Sequence, residues 1–276
     1  MNRRQLVIVA LVLTAVAMLG WELVRSQLGA STPERTQVSA STATGSSEEL
    51  ARVRLAGDLA PLDSFVAAQR TRCGERGRAE DWRVLGEALL ERCLARDRDK
   101  GMAVGRPTHT ELPEPNRKDI DAGLEAIDKA IALGDTDPDA ERIRSALLSL
   151  TATGWVQILS LRPRIEAALR AAERRDPNHP RVVIARACEK LFAPNRFLGQ
   201  DFAAAERMLL RAAAALEVDE RPYVLAAMGA HLLGRTDDAK SHLRKALERN
   251  PTNRYAREVL RRIEAHEDDP FGRDVQ

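Results

Sequence analysis

The sequence predicts an all-α protein, and three observations carry that expectation. From Glu48 onward, apolar residues recur at three- and four-residue spacings, as in Trp82, Leu85, Leu89 and Leu90, or Leu243, Ala246 and Leu247, which is the period of one helix face. No stretch shows the sustained strict alternation of a half-buried strand. Only ten of the 276 residues are aromatic, so the core rests on Ala, Leu, Val and Ile, and such small side chains suit closely packed helices better than strands. The helical segments are short, punctuated by LGDTDPD, RRDPNHP, LLGRTDD and RNPTN. Asp135, Asp176 and Asn250 stand near helix ends, and Pro138, Pro177, Pro180 and Pro251 sit where one helix stops or the next begins.

The first 25 residues read as a membrane segment. Arg3 and Arg4 precede an uncharged apolar run from Leu6 to Trp21, and counting on to Val24 adds Glu22 as its only charge. A helix crossing the hydrocarbon core needs ~20 residues, so 6–24 is long enough once its ends snorkel. Trp21 suits the interface, and the arginines place the N-terminus on the cytoplasmic side, leaving the rest of the chain periplasmic or extracellular. A cleaved signal peptide is the competing reading. Glu22 and Arg25 directly after the run, and the lack of a small-x-small site there, favour the uncleaved anchor. Residues 26–47 are rich in Ser, Thr and Ala with almost no large apolar side chain, as expected of a flexible linker.

Four arginines and two glutamates fall before residue 48, which leaves 48–276 formally neutral. A neutral domain has no net-charge reason to coat nucleic acid, and no nucleic-acid partner is expected. Within it, 48–267 is expected to be helical throughout, with residues 48–73 a single helix packed on the first repeat unit, an insertion at 96–118, and a tail at 268–276 expected to fray.

Residues 220–253, ERPYVLAAMGAHLLGRTDDAKSHLRKALERNPTN, form a unit of 34 residues. Tyr223 stands in its first helix, Gly234 at the turn, Ala239 where the helices cross, Leu243 and Ala246 toward the neighbouring unit, and Pro251 after the second helix. This unit resembles a tetratricopeptide repeat (TPR), with Ala226, Ala227 and Ala230 smaller than the family's usual residues. WRVLGEAL resembles the start of another, through Trp82, Leu85 and Gly86, with Leu89 in place of the usual Tyr. Two weaker units are read at 149–180 and 181–216, and Ala130, Ala172, Ala212 and Ala246 are the equivalent second-helix alanines. Residues 252–267, with Tyr255, Val259, Leu260 and Ile263 inward, look like a capping helix that covers the last apolar face.

The resemblance implies a right-handed α-solenoid of about four hairpins whose first helices line a concave groove. Arg83, Glu87 and Glu91 early in the array, and Val224, Met228, His231 and Leu232 late in it, would project there, with Gln157 and Glu189 between them. A groove of that mixed character suits another protein's peptide or helix better than a small polar substrate.

Chemical signatures are weak by comparison. No two of the five histidines have the spacing of a helical zinc site, and Gly101 and Gly105 lack the Lys-Ser/Thr of a phosphate loop. Cys73 and Cys93 are expected about 20 Å apart along an antiparallel hairpin, beyond the ~7 Å reach of a disulfide. Neither a cofactor nor a metal is expected. The sequence therefore points to a membrane-anchored interaction scaffold rather than an enzyme. A secreted binding module released by signal cleavage, and an enzyme using the 96–118 loop, are the alternatives.

Overall fold

The computed structural model describes residues 45–56, 58–97, 112–153, 155–193 and 199–272. The expected anchor, nearly all of the expected linker and most of the 96–118 insertion lie outside those residues. Eleven helices and no strand are found among the described residues. They are α1 (Gly45–Leu55), α2 (Leu59–Arg76), α3 (Ala79–Asp97), α4 (Glu114–Ala132), α5 (Pro138–Leu150), α6 (Trp155–Arg175), α7 (Pro180–Phe192), α8 (Phe202–Ala215), α9 (Arg221–Leu232), α10 (Thr236–Arg249) and α11 (Arg254–Glu264). None of them is long and apolar enough to cross a membrane.

Each helix from α2 onward packs on the next, and α3, α5, α7 and α9 also pack on one another in turn. That pattern defines four stacked hairpins, α3/α4, α5/α6, α7/α8 and α9/α10, with α11 covering the end. Ala130, Ala172, Ala212 and Ala246 fall one on each second helix, and all four are buried. A small side chain there lets the packed helices approach closely.

Local chemistry sets the helix boundaries. Pro138 and Pro180 occupy the first residue of α5 and α7, where the missing N–H leaves no bond unmade. The side chains of Asp137, Asp201 and Asn253 accept the backbone N–H of Asp139, Ala204 and Ala256 and so cap α5, α8 and α11. Gly234, at φ 75°, closes α9: Arg235 N–H reaches back to Ala230 O at 2.9 Å, a turn that only the left-handed backbone allows.

The structure corrects four boundaries read from the sequence. Residues 48–73 are not one helix, because α1 ends at Leu55 and α2 starts at Leu59, headed by Asp58 in extended backbone. The helices flanking the insertion take residues from both its ends, α3 running to Asp97 and α4 starting at Glu114 with Pro115 in its first turn. In the second hairpin the register shifts: residues 138–150 are its first helix, and 155–175 form one continuous second helix that runs through Pro163. Gln157 therefore belongs to a second helix. Finally, the tail does not fray at Phe271, which is buried; Tyr255 Oη donates to Phe271 O at 3.2 Å, and the ring lies 5.5 Å from that of His231.

Candidate interaction face of the first helices

Arg83, Glu87 and Glu91 are spaced by four along α3, so they share one face of that helix. Each meets a different part of the array. Arg83 donates to Asp135 at 3.1 Å and approaches Asp137 at 3.0 Å, both in the turn before α5. Glu87 pairs with Arg142 of α5 at 3.4 Å and with Arg181 of α7. Glu91 accepts from Arg221 of α9 at 2.6 Å. One face of the first hairpin thus touches the second, third and fourth in order, which requires the stack to curl until its first and last hairpins meet.

Further charges complete the seam. Asp139 accepts from Arg142 at 2.5 Å and from Arg181 at 3.1 Å, tying α5 to α7. Asp219, just before α9, accepts from Arg221 Nη2 at 2.8 Å. Arg54 of α1 reaches the same place, donating to Glu220 at 2.9 and 3.1 Å, with Asp219 at 3.5 Å. Glu220 also accepts from Asn250 at 3.1 Å and Asn253 at 3.2 Å. Glu87, Glu91, Asp139, Asp219, Glu220 and Arg54 are all buried.

Burial alone would drive these carboxylates toward their neutral forms. At Asp139 it is outweighed by the charges of Arg142 and Arg181, and at Asp219 by those of Arg221 and Arg54, so both carboxyls lie well below the usual range. Glu91 is likewise lowered, its burial overcome by Arg221 and Arg54. The Arg181 guanidinium is pushed up, chiefly by Glu87. Such groups stay charged at neutral pH, so they hold charge in place and are poorly matched to proton transfer. The cysteines are equally ill placed for nucleophilic work: burial pushes the Cys73 thiol up to about 11 and that of Cys188 up to about 12.

Asp137, Asp139 and His179 bring metal-ligand atoms within 4.8 Å of one another. Asp137 already caps α5 and faces Arg83, and Asp139 faces Arg142 and Arg181. Three guanidiniums around two carboxylates leave little negative field for a cation, so this cluster is part of the seam.

Of the other groove residues read from the sequence, Val224 and Met228 are buried in the core of the last hairpins, and His231 and Leu232 are half-buried at the end of α9. They pack with Phe271 and α11 and lie apart from the charged seam. Glu189 pairs with Arg186 at 2.6 Å, in a separate network with Glu166 and Glu173. Sequence reasoning missed the cations that answer α3. Their signal is local: Arg142, Arg181 and Arg221 each lie within four residues of a proline at the head of a first helix.

No protein-family model matches this sequence, and neither does any curated protein. Among solved structures, a thermophilic TPR protein of Thermus thermophilus is similar, with a TM-score of 0.52 at 17% identity, covering 80% of this chain and all of that one. At that identity the likeness concerns the fold alone, and the fold of this chain is TPR-like.

Proposed function

We propose that this chain is a scaffold that holds a segment of another protein against the first-helix face, carried on the non-cytoplasmic side of a membrane by residues 6–24. The observation that supports this most is the convergence of α3, α5, α7 and α9 on one face carrying charges of both signs. A partner segment bearing both signs can exchange with those internal pairs one for one, so that no buried charge is left unanswered. The apolar run of 6–24, its flanking arginines and the low-complexity stretch to residue 47 support the anchor and linker. Asp139, Asp219 and Glu91, held charged by the arginines beside them, are suited to fixing charge rather than moving a proton, and this supports binding over catalysis.

Photo-crosslinking residues placed at Arg83 and Arg181 of the full chain in intact membranes test the binding reading. Capture of one discrete protein from these positions, and not from exposed Lys245 on α10, is the expected result; equal capture from all three overturns it. Resistance to alkaline extraction, with Met1 retained, tests the anchor. Release with a new N-terminus near residue 30 would favour the secreted module.

A further inference from the structure

The buried apolar residues fall into separate clusters. One runs from Leu50 to Ala126 over α1–α4, one from Leu90 to Leu147 over α3–α5, and the largest from Ala187 to Phe271 over α7–α11. Between them lies only a small cluster of Leu169, Ala172 and Val182, with Ala185 against it, where α6 meets α7. No cluster among the described residues holds apolar side chains from both ends of the array. The contacts that bring the first hairpin and α1 to the third and fourth hairpins are polar: Glu87 with Arg181, Glu91 with Arg221, and Arg54 of α1 with Asp219 and Glu220. Thr252 Oγ1 adds a bond to Leu55 O at 2.9 Å, between α1 and the turn that follows the last hairpin.

These contacts differ in kind from the stacking of hairpins. Parting apolar clusters exposes core surface, whereas parting a polar seam exchanges ion pairs for water. The seam can therefore open while both large clusters stay intact. Arg54 holds a special place in it. Asp219 has Arg221 as a second cation, whereas the other donors to Glu220 are the neutral amides of Asn250 and Asn253. Losing Arg54 removes the guanidinium that is hydrogen-bonded to this buried carboxylate and leaves Arg221 to act on it through charge alone, and hydrating the carboxylate favours the open form. Position matters too, because α1 follows directly on the expected linker, so a pull along the linker acts first on this helix.

We propose that α1 is a latch: through Arg54 it holds the two halves of the solenoid closed across the polar seam, and its release lets them swing apart about the small apolar joint at Leu169, Ala172 and Val182. This rests on the reading of the first-helix face as the binding surface, since opening is what admits a partner segment to it.

The test measures two distances by spin labels in the detergent-solubilised full chain. The labels sit on unnatural residues, so that the native thiols are untouched. One pair, at exposed Ala68 of α2 and Lys245 of α10, spans the seam. The other, at Arg207 of α8 and Lys245, lies within the C-terminal half. In Arg54→Ala the spanning distance is expected to widen by roughly 5 Å or more, the scale of a hinge motion, with the internal distance unchanged. Arg54→Lys keeps the charge but loses the planar fork, and should populate both distances. If Arg54→Ala does not fold, the Lys variant alone decides, through a second, wider population. Unchanged spanning distances, or widening of both pairs together, overturn the latch. A seam that opens yet captures no protein overturns the binding reading and leaves the latch standing; discrete capture by a seam that never opens does the reverse.

Discussion

The last hairpin, α9/α10, and the second, α5/α6, are built from the same plan to different tolerances. In α9, Ala226, Ala227 and Ala230 are all fully buried, and they meet Ala239, Leu243 and Ala246 of α10 across a short turn closed by Gly234. The two helices are nearly equal, 12 and 14 residues. In the second hairpin a first helix of 13 residues faces a second of 21, and the surplus turns of α6 carry Val156 at 82% and Leu159 at 64% exposure. A second helix is buried only along the length that its first helix can cover. Stability in the array should therefore track matched length and side-chain size at the crossing more than apolar content.

The sharpest way to break this comparison is to cut a cavity in the matched hairpin. Leu243 is fully buried between α10 and its neighbours, and Leu243→Ala should cost about 3–4 kcal/mol, as deletions at well-packed sites do. A shift in urea midpoint is the measurement. A cost below ~1 kcal/mol would mean that the alanine-rich crossing collapses around the gap and is not tightly packed.

The seam comes next. Glu91→Ala removes the partner of Arg221, although Asp219 still answers that guanidinium, so the expected loss is about 2 kcal/mol, below the usual figure for a broken buried pair. Acid should act on the same groups. Asp219, Asp139 and Glu91 have folded-state pKa values below the ordinary 3.8 and 4.5. The unfolded chain therefore takes up protons first as pH falls. Their contribution is complete above about pH 5 and is lost progressively as pH drops through 4 toward the folded values. Urea midpoints measured between pH 6 and pH 3 should fall steeply at the acid end, and less steeply in Glu91→Ala than in the unaltered chain.

A smaller effect is expected at the turn of the matched hairpin. An added Cβ at Gly234 would meet nothing within 4 Å, but the backbone there is left-handed, so Gly234→Ala should cost about 1 kcal/mol from strain alone. Gly86 offers the contrast: its Cβ would lie 2.6 Å from Ile127 Cδ1, where α3 and α4 cross. There the overpacking cost is set against a helix-propensity gain of about 1 kcal/mol, and a net loss of about 1 kcal/mol is expected.

The same contrast explains what the sequence made legible. The last hairpin was readable because every special position is local: Tyr223, Gly234, Ala239 and Pro251 each announce themselves within one 34-residue window. In the second hairpin the unit read at 149–180 starts one helix late, since its first helix is 138–150 and 155–175 is one helix that runs through Pro163. The proline ring lies in the outer part of α6, where the carbonyl it leaves without an N–H partner, that of Leu159, belongs to an exposed residue. The face of α3 was legible as a face, since Arg83, Glu87 and Glu91 share a helical spacing. That Glu87 and Glu91 would be buried and answered by Arg181 and Arg221, 94 and 130 residues away, was not. Spacing along one helix reports which side chains point together, whereas the curl of the stack decides what stands opposite, and curl accumulates from crossings that no single window contains.

The smallest expected effect lies on the surplus turns of α6. Val156 and Leu159 have no core to lose, so Val156→Ser and Leu159→Ser should each change the stability read from urea unfolding by less than about 0.5 kcal/mol, against the several expected for Leu243. Both residues sit N-terminal to Pro163, so the turns that carry them lack the backbone bond that would tie them to the rest of the helix at that point. A loss of 2 kcal/mol or more at either residue would show that this end of α6 is covered in solution. The length mismatch would then be an interface rather than an overhang.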